Sequence, residues 1–161
     1  MKRGQLTLAL DHADAVYNDI VVIADDIIKH YLWEIDSLIK TATEKDSLSN
    51  DDIRHLILQL SLKSYGFSEI KEKSALKVEC AEALRKEKYA LKFNETDGTV
   101  AYKENQATIS STDEILVEAI YSLVASLFKQ KLEEIHRIVD SLKSILVSRN
   151  MEAKLSSELF E

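Results

Sequence analysis

Two carboxylate–histidine spacings could do chemistry in this chain: Asp52-x-x-His55 and Glu133-x-x-His136, the second followed by Asp140. At i, i+3 a carboxylate and an imidazole share one helix face. Two such pairs with two further carboxylates can hold a di-metal centre inside a helical bundle. The same residues also suit the solvated faces of charged helices: Glu133 and Glu134 lie in a charge-dense stretch, and Asp52 lies where a carboxylate favours a helix N-terminus. The expectation is no metal and no cofactor. Asp11-His12-Ala13-Asp14 offers acid–base groups without a nucleophile or oxyanion donor nearby. Cys80, between Glu79 and Glu82, lacks the electropositive surroundings that activate a thiolate and reads as a small packing residue. Trp33 and Tyr31 read as core or interface aromatics. The residues supply no catalytic constellation, and no turnover is expected.

Glu69-x-x-Glu72 and Glu79-x-x-Glu82 are similar to the paired acidic motifs by which all-α nucleotide pyrophosphatases bind magnesium, but that family's second motif ends in aspartate after a longer gap. With lysines interleaved, these acids suit i, i+4 pairs such as Glu69–Lys73 and Glu82–Lys86. Positions 71–92 hold seven bases against four acids, a local +3 on a chain of net charge −7, with Lys73, Lys77, Arg85, Lys88 and Lys92 near one helical face. A groove for single-stranded nucleic acid has this charge, although only Tyr89 and Phe93 are at hand to stack bases. The first 60 residues carry eleven acids against six bases, a net −5, so the opposed charges also suit contacts between helices or subunits. Protein contact is the preferred reading and nucleic acid the alternative.

These residues need elements to carry them. The chain has 161 residues, 45% hydrophobic and 30% charged, which suits one domain with a core rather than a disordered or membrane protein. Proline is absent and glycine occurs only at Gly4, Gly66 and Gly98, so the turns of sandwiches and barrels and the clustered glycines of phosphate loops are missing. The expected class is all-α: an elongated helical bundle with a long C-terminal antiparallel helical hairpin, forming a single domain over 1–161. The solitary Cys80 allows no internal disulfide, and Met1-Lys2-Arg3 is not followed by a signal-peptide core. The most apolar stretch, 20–28, is interrupted by Asp25 and Asp26 and falls far below the roughly 20 apolar residues that span a bilayer. A soluble cytoplasmic protein with no membrane contact is expected.

N-terminal helices are predicted over 5–64. The first, 5–41, carries the stripe Leu6, Leu10, Ala13, Tyr17, Ile20, Ala24, Ile27, Tyr31 and Leu38, widened by Val21, Ile28, Ile35 and Ile39. A helix with so broad an apolar face needs more than one neighbour, so self-association is expected through Leu10, Tyr17, Ile20, Ile27 and Tyr31. The run 20–23 could alternatively be a buried strand, but the helical period continues on both sides. A polar loop over 43–50 leads to Ser49 or Asn50 as N-cap, with Asp51 and Asp52 in the first turn. The short helix that follows is expected to end at Gly66 in a left-handed cap, with Ser68 capping the next. The hairpin occupies 68–150, reversing at 94–99 through Asp97-Gly98 with Thr99 as cap, and weakened at 108–112. The tail, 151–161, frays or docks through Leu155, Leu159 and Phe160.

Three segments of the second half carry a family resemblance: the turn Asp97-Gly98-Thr99-Val100-Ala101-Tyr102-Lys103, the run Ser141-Leu142-Lys143-Ser144-Ile145-Leu146-Val147-Ser148-Arg149, and residues 81–89. Over 69–150 the chain resembles a family of small helical, coiled-coil-like early proteins of phages and prophages of Gram-positive bacteria. It departs from the family at Glu104-Asn105-Gln106-Ala107, where an alanine-rich stretch is expected. The resemblance implies a phage context and the bacterial host cytoplasm, with no catalytic residue to carry over. Two roles fit that context. One is a protein-binding inhibitor of a host defence system, such as a CRISPR nuclease, acting by surface occlusion. The other is an accessory factor of phage recombination or replication that binds single-stranded nucleic acid.

Overall fold

The computed structural model describes residues 3–44 and 48–158, with side chains for 13–43 and 48–156. The described residues form four α-helices, α1 (Arg3–Glu44), α2 (Asn50–Glu95), α3 (Val100–Ser110) and α4 (Thr112–Glu158), and no strand occurs among them. The fold is all-α. The β-branched run 20–23 lies inside α1, as its flanking period requires. The helices contribute to two compact units. The first takes α1 as far as Lys29 and the segment Lys71–Leu127; the second takes His30–Ile70 and α4 from Phe128 onward.

In the second unit three helical segments surround one apolar core. Ile35 of α1, Ile53, Leu56, Leu60 and Phe67 of α2, and Phe128, Ile135, Val139 and Leu142 of α4 are all buried. The contacts fix direction. Tyr31 meets Phe128 edge-on while Lys131 Nζ reaches Asp36 at 2.9 Å, so α1 and α4 run parallel. Phe67 meets Phe128 while Arg149 donates to the Leu48 carbonyl at 2.6 Å and to Asn50 Oδ1 at 3.2 Å, so α2 runs antiparallel to α4. Partial burial pulls the Lys131 ammonium down, but its bonds to Glu134 and Asp36 outweigh this and hold its pKa above the usual 10.5.

The start of α2 is a reciprocal cap. The Asp52 N–H donates to Ser49 Oγ at 3.1 Å, and the Ser49 N–H donates to Asp52 Oδ2 at 3.1 Å. The expected break at Gly66 is absent, because α2 passes through it without interruption. Gly98 is the only described glycine with a positive φ, so nothing in the backbone asks for glycine at 66. The Ser68 hydroxyl does not cap a helix; it donates to the Ser64 carbonyl at 3.0 Å, inside α2. Burial of Leu60 on one side of Gly66 and Phe67 on the other outweighs the ~1 kcal/mol helix penalty of a glycine.

In the first unit α2 and α4 are antiparallel, with Arg85 Nε on Glu118 Oε2 and Lys88 Nζ on Glu114 Oε1, each at 2.6 Å. The reversal matches expectation: Gly98 takes φ 130°, and Thr99 Oγ1 accepts the Tyr102 N–H at 3.4 Å. The weakened stretch becomes a one-residue interruption at Ser111, whose buried hydroxyl donates to the carbonyls of Ala107 at 3.0 Å and Thr108 at 3.1 Å. Such back-bonding competes with the helical ladder and locally loosens it. The core here is built mainly of small side chains: Ala24, Ile28, Ser74, Ala81, Ala107, Ser111 and Val124.

Candidate functional site

The two carboxylate–histidine sets are not assembled into a centre. Asp52 is committed to the Ser49 cap, and His55 is exposed beside it on α2. On α4, Glu133 pairs with Arg137 at 3.6 Å and Asp140 with Lys143 at 3.5 Å, while His136 is exposed. Among the described residues, no three of His, Cys, Asp and Glu gather so as to hold a metal ion. The side chains of Asp11 and His12 lie outside the described residues. Glu82 pairs with Lys86 at 2.6 Å at the expected i, i+4 spacing, which holds its carboxyl below the usual 4.5. Cys80 is a free thiol and exposed, not a packing residue.

The basic face of α2 is turned largely to α4. Arg85 and Lys88 are engaged by Glu118 and Glu114, and the Lys77 ammonium stands 5.4 Å from the centroid of the Tyr121 ring. The hydrogen bond from Lys88 holds the Glu114 carboxyl below its ordinary 4.5, against the opposing effect of burial. Lys92 is half-buried and Lys73 exposed. Tyr89 and Phe93 stack on each other at 6.4 Å, and Phe93 also lies under Lys103 at 5.8 Å. Arg85, Lys88 and Lys77, which would grip phosphates, and Tyr89 and Phe93, which would stack on bases, have partners within the chain.

The second unit carries an apolar concave surface. Between α1 and α2, a cleft of about 310 Å³ is walled by Trp33 and Leu38 on one side and Leu62 on the other, with Gln59 and Ser37 as polar edges. It shares Trp33, Glu34, Leu62 and Lys63 with a second cleft of about 320 Å³ that continues past Tyr31 and Gly66. Trp33 is 66% exposed and Leu62 65%, values opposite to those of a core pair. Leu58 and Tyr65 extend the same apolar face along α2 at i, i+4 and i+7 with Leu62, and both are exposed. The ion pair between Lys63 and Glu34 links the two walls. A Cβ placed on Gly66 would meet no atom within 4 Å, so this glycine faces open space beside the cleft.

No family model, curated protein or solved structure matches this chain.

Of the residues expected to drive self-association, Tyr17 is exposed, whereas Ile20 and Ile27 are half-buried and Tyr31 packs on Phe128. The Leu10 side chain lies outside the described residues, as do Leu159 and Phe160. The Trp33–Leu62 cleft is hidden in the sequence because Trp33 reads equally as a core or an interface aromatic and Gly66 suggests a helix end beside it. One signal could have found it. Leu58, Leu62 and Tyr65 stand off the Ile53, Leu56, Leu60 stripe, which leaves a second apolar face with no assigned neighbour. No helix among the described residues is long and apolar enough to cross a membrane.

Proposed function

We propose that this chain is a non-catalytic, phage-encoded protein-binding factor that takes an apolar segment of a partner protein into the α1–α2 cleft of its second unit. The observation that carries the reading is the pair Trp33 and Leu62, two large side chains left mostly exposed on facing helices across a formed cleft. Tryptophan supplies large contact area at low conformational cost and is enriched among the anchors of protein interfaces. An exposed apolar patch with a polar rim is the surface that an amphipathic helix recognises. The phage context rests on the resemblance over 69–150, and with it comes the role of inhibiting a host defence nuclease by occupying its surface. The internal pairing of Arg85 and Lys88 weighs against the alternative of a single-stranded nucleic acid factor, because binding phosphate there would first break those pairs.

Capture of partners from infected host cells, with and without nuclease, tests this reading. The expected result is a protein that survives nuclease and is lost with Trp33→Ala or Leu62→Ala. Salt-sensitive retention of oligonucleotide by the purified protein, abolished by charge reversal at Lys77, Arg85 and Lys88, would overturn it in favour of the nucleic acid reading.

A further inference from the structure

The α2 segment of the first unit leaves a second apolar stripe uncovered. Leu76 and Leu84 are each 59% exposed and Leu91 56%, and Cys80, Ala83 and Ala90 are exposed between them. The positions 76, 80, 83/84, 87 and 91 recur every three to four residues, so they share one face of the helix. The outer leucines of the stripe are placed symmetrically along the chain. Leu76 lies seven residues before Ala83, and Leu91 lies seven after Leu84, so the midpoint falls between 83 and 84. A pair of opposite charges beside it is centred close to the same point. Glu79 and Lys86, both exposed on one flank of the stripe, have a midpoint within one residue of that centre.

Turned end for end about that centre, the strip sets leucine on leucine at its two ends and brings Glu79 within two positions of Lys86 on the same flank, so its apolar ends and its flanking charges are complementary to themselves when reversed. We infer that a second copy of this chain docks on it, α2 against α2, antiparallel about a two-fold axis at Ala83–Leu84. Leu76 then packs on Leu91 of the second copy, and Ala83 at the centre lets the two backbones approach closely. Glu79 of each copy meets Lys86 of the other. Lys86 already pairs with Glu82 in one chain, but that pair is exposed and rearranges at little cost. A parallel arrangement is disfavoured, since it would set Glu87 against Glu87 in the middle of the seam. Val117 of α4, which shares a cleft with Leu84, adds apolar surface at the centre. Isologous contacts of this kind close on themselves and give dimers rather than chains. Neither Trp33 nor Leu62 takes part, so the outcome is independent of the cleft's partner.

Sedimentation equilibrium of the full chain tests the inference. The wild type is expected at twice 18.3 kDa at tens of micromolar, and Leu84→Glu at the single mass with an unchanged circular dichroism spectrum. Lys86→Glu raises the dimer dissociation constant about ten-fold, and the Glu79→Lys/Lys86→Glu double exchange restores it. For direction, A83C in a C80S background forms a disulfide dimer under mild oxidation, because two cysteines near the axis fall within bridging distance, while the native Cys80, which faces position 87 of the other copy, does not. A monomer mass for the wild type would overturn the inference. So would disulfide cross-linking through the native Cys80, which only a parallel pair sets against its counterpart, and so would a dimer indifferent to both Leu84→Glu and Lys86→Glu.

Discussion

The Phe67 ring stands edge-on to Phe128, with centroids 5.0 Å apart and planes at 74°. Phe67 follows directly on Gly66, so this contact anchors α2 at the point where a glycine invites it to end. Phe128 also takes Tyr31 edge-on at 5.8 Å, which ties all three helical segments of the second unit to one ring. Phe128→Ala is expected to destabilise the protein by about 3–5 kcal/mol, read by urea denaturation. Gly66→Ala acts in the opposite direction. The site is helical, a Cβ there meets nothing within 4 Å, and the gain is up to about 1 kcal/mol. Destabilisation by Gly66→Ala would mean that α2 is broken there after all.

Where apolar spacing decided an element, the sequence was enough. The all-α class, the start of α2 at Ser49–Asp52 and the reversal at Gly98 were all legible, because a cap and a positive φ each leave a residue signature. Gly66 misled because glycine permits a break without requiring one. The stripe Ile53, Leu56, Leu60, Phe67 runs through it at steps of three, four and seven, and burial of those four side chains settles the matter. The cleft was harder to see, since an exposed tryptophan and a buried one look alike until their helix neighbours are known. The basic face could be seen in the sequence, but its neutralisation could not. Only the antiparallel register brings Glu114 and Glu118 to Lys88 and Arg85.

Gly98 makes the reversal. Its φ of 130° is a region that residues with a Cβ rarely enter, and an added Cβ would lie 3.0 Å from Tyr102 Cδ1. Gly98→Ala therefore strains the backbone and presses on the ring that opens α3. A loss of about 1 kcal/mol or more is expected in the urea midpoint, with the helical signal of the folded state unchanged. A neutral substitution would show that the turn relaxes into another conformation.

Acid should weaken the α2–α4 pairing. Lys88 holds the Glu114 carboxyl below its ordinary 4.5, and Lys86 does the same for Glu82. A carboxylate whose pKa is lowered by folding stabilises the folded state above its unfolded pKa, and that contribution fades as pH falls through the folded value. Stability should then be level from neutral pH down to about 4.5 and decline below it. Glu114→Gln should start lower at neutral pH and show a shallower decline. An equally steep acid decline in Glu114→Gln would assign the effect to other carboxylates.

Trp33 is the chain's single tryptophan and stands 66% exposed on the cleft wall, so its fluorescence reports on the cleft alone. In the free protein the emission should be that of a solvated indole, readily quenched by acrylamide. An amphipathic partner helix that fills the cleft would cover the indole, shifting emission to shorter wavelength and protecting it from quencher. Gly66→Leu is the sharper perturbation, because it projects a side chain into open space beside Trp33 without touching a neighbour at Cβ. It should leave the fold intact while blocking the partner. Trp33→Ala should change stability by no more than about 0.5 kcal/mol, since so exposed a side chain contributes little packing. Its effect on partner affinity should be about thirty-fold or greater, as for a central interface anchor. A loss of stability larger than the loss of affinity would make Trp33 a structural residue and remove the cleft's claim to function.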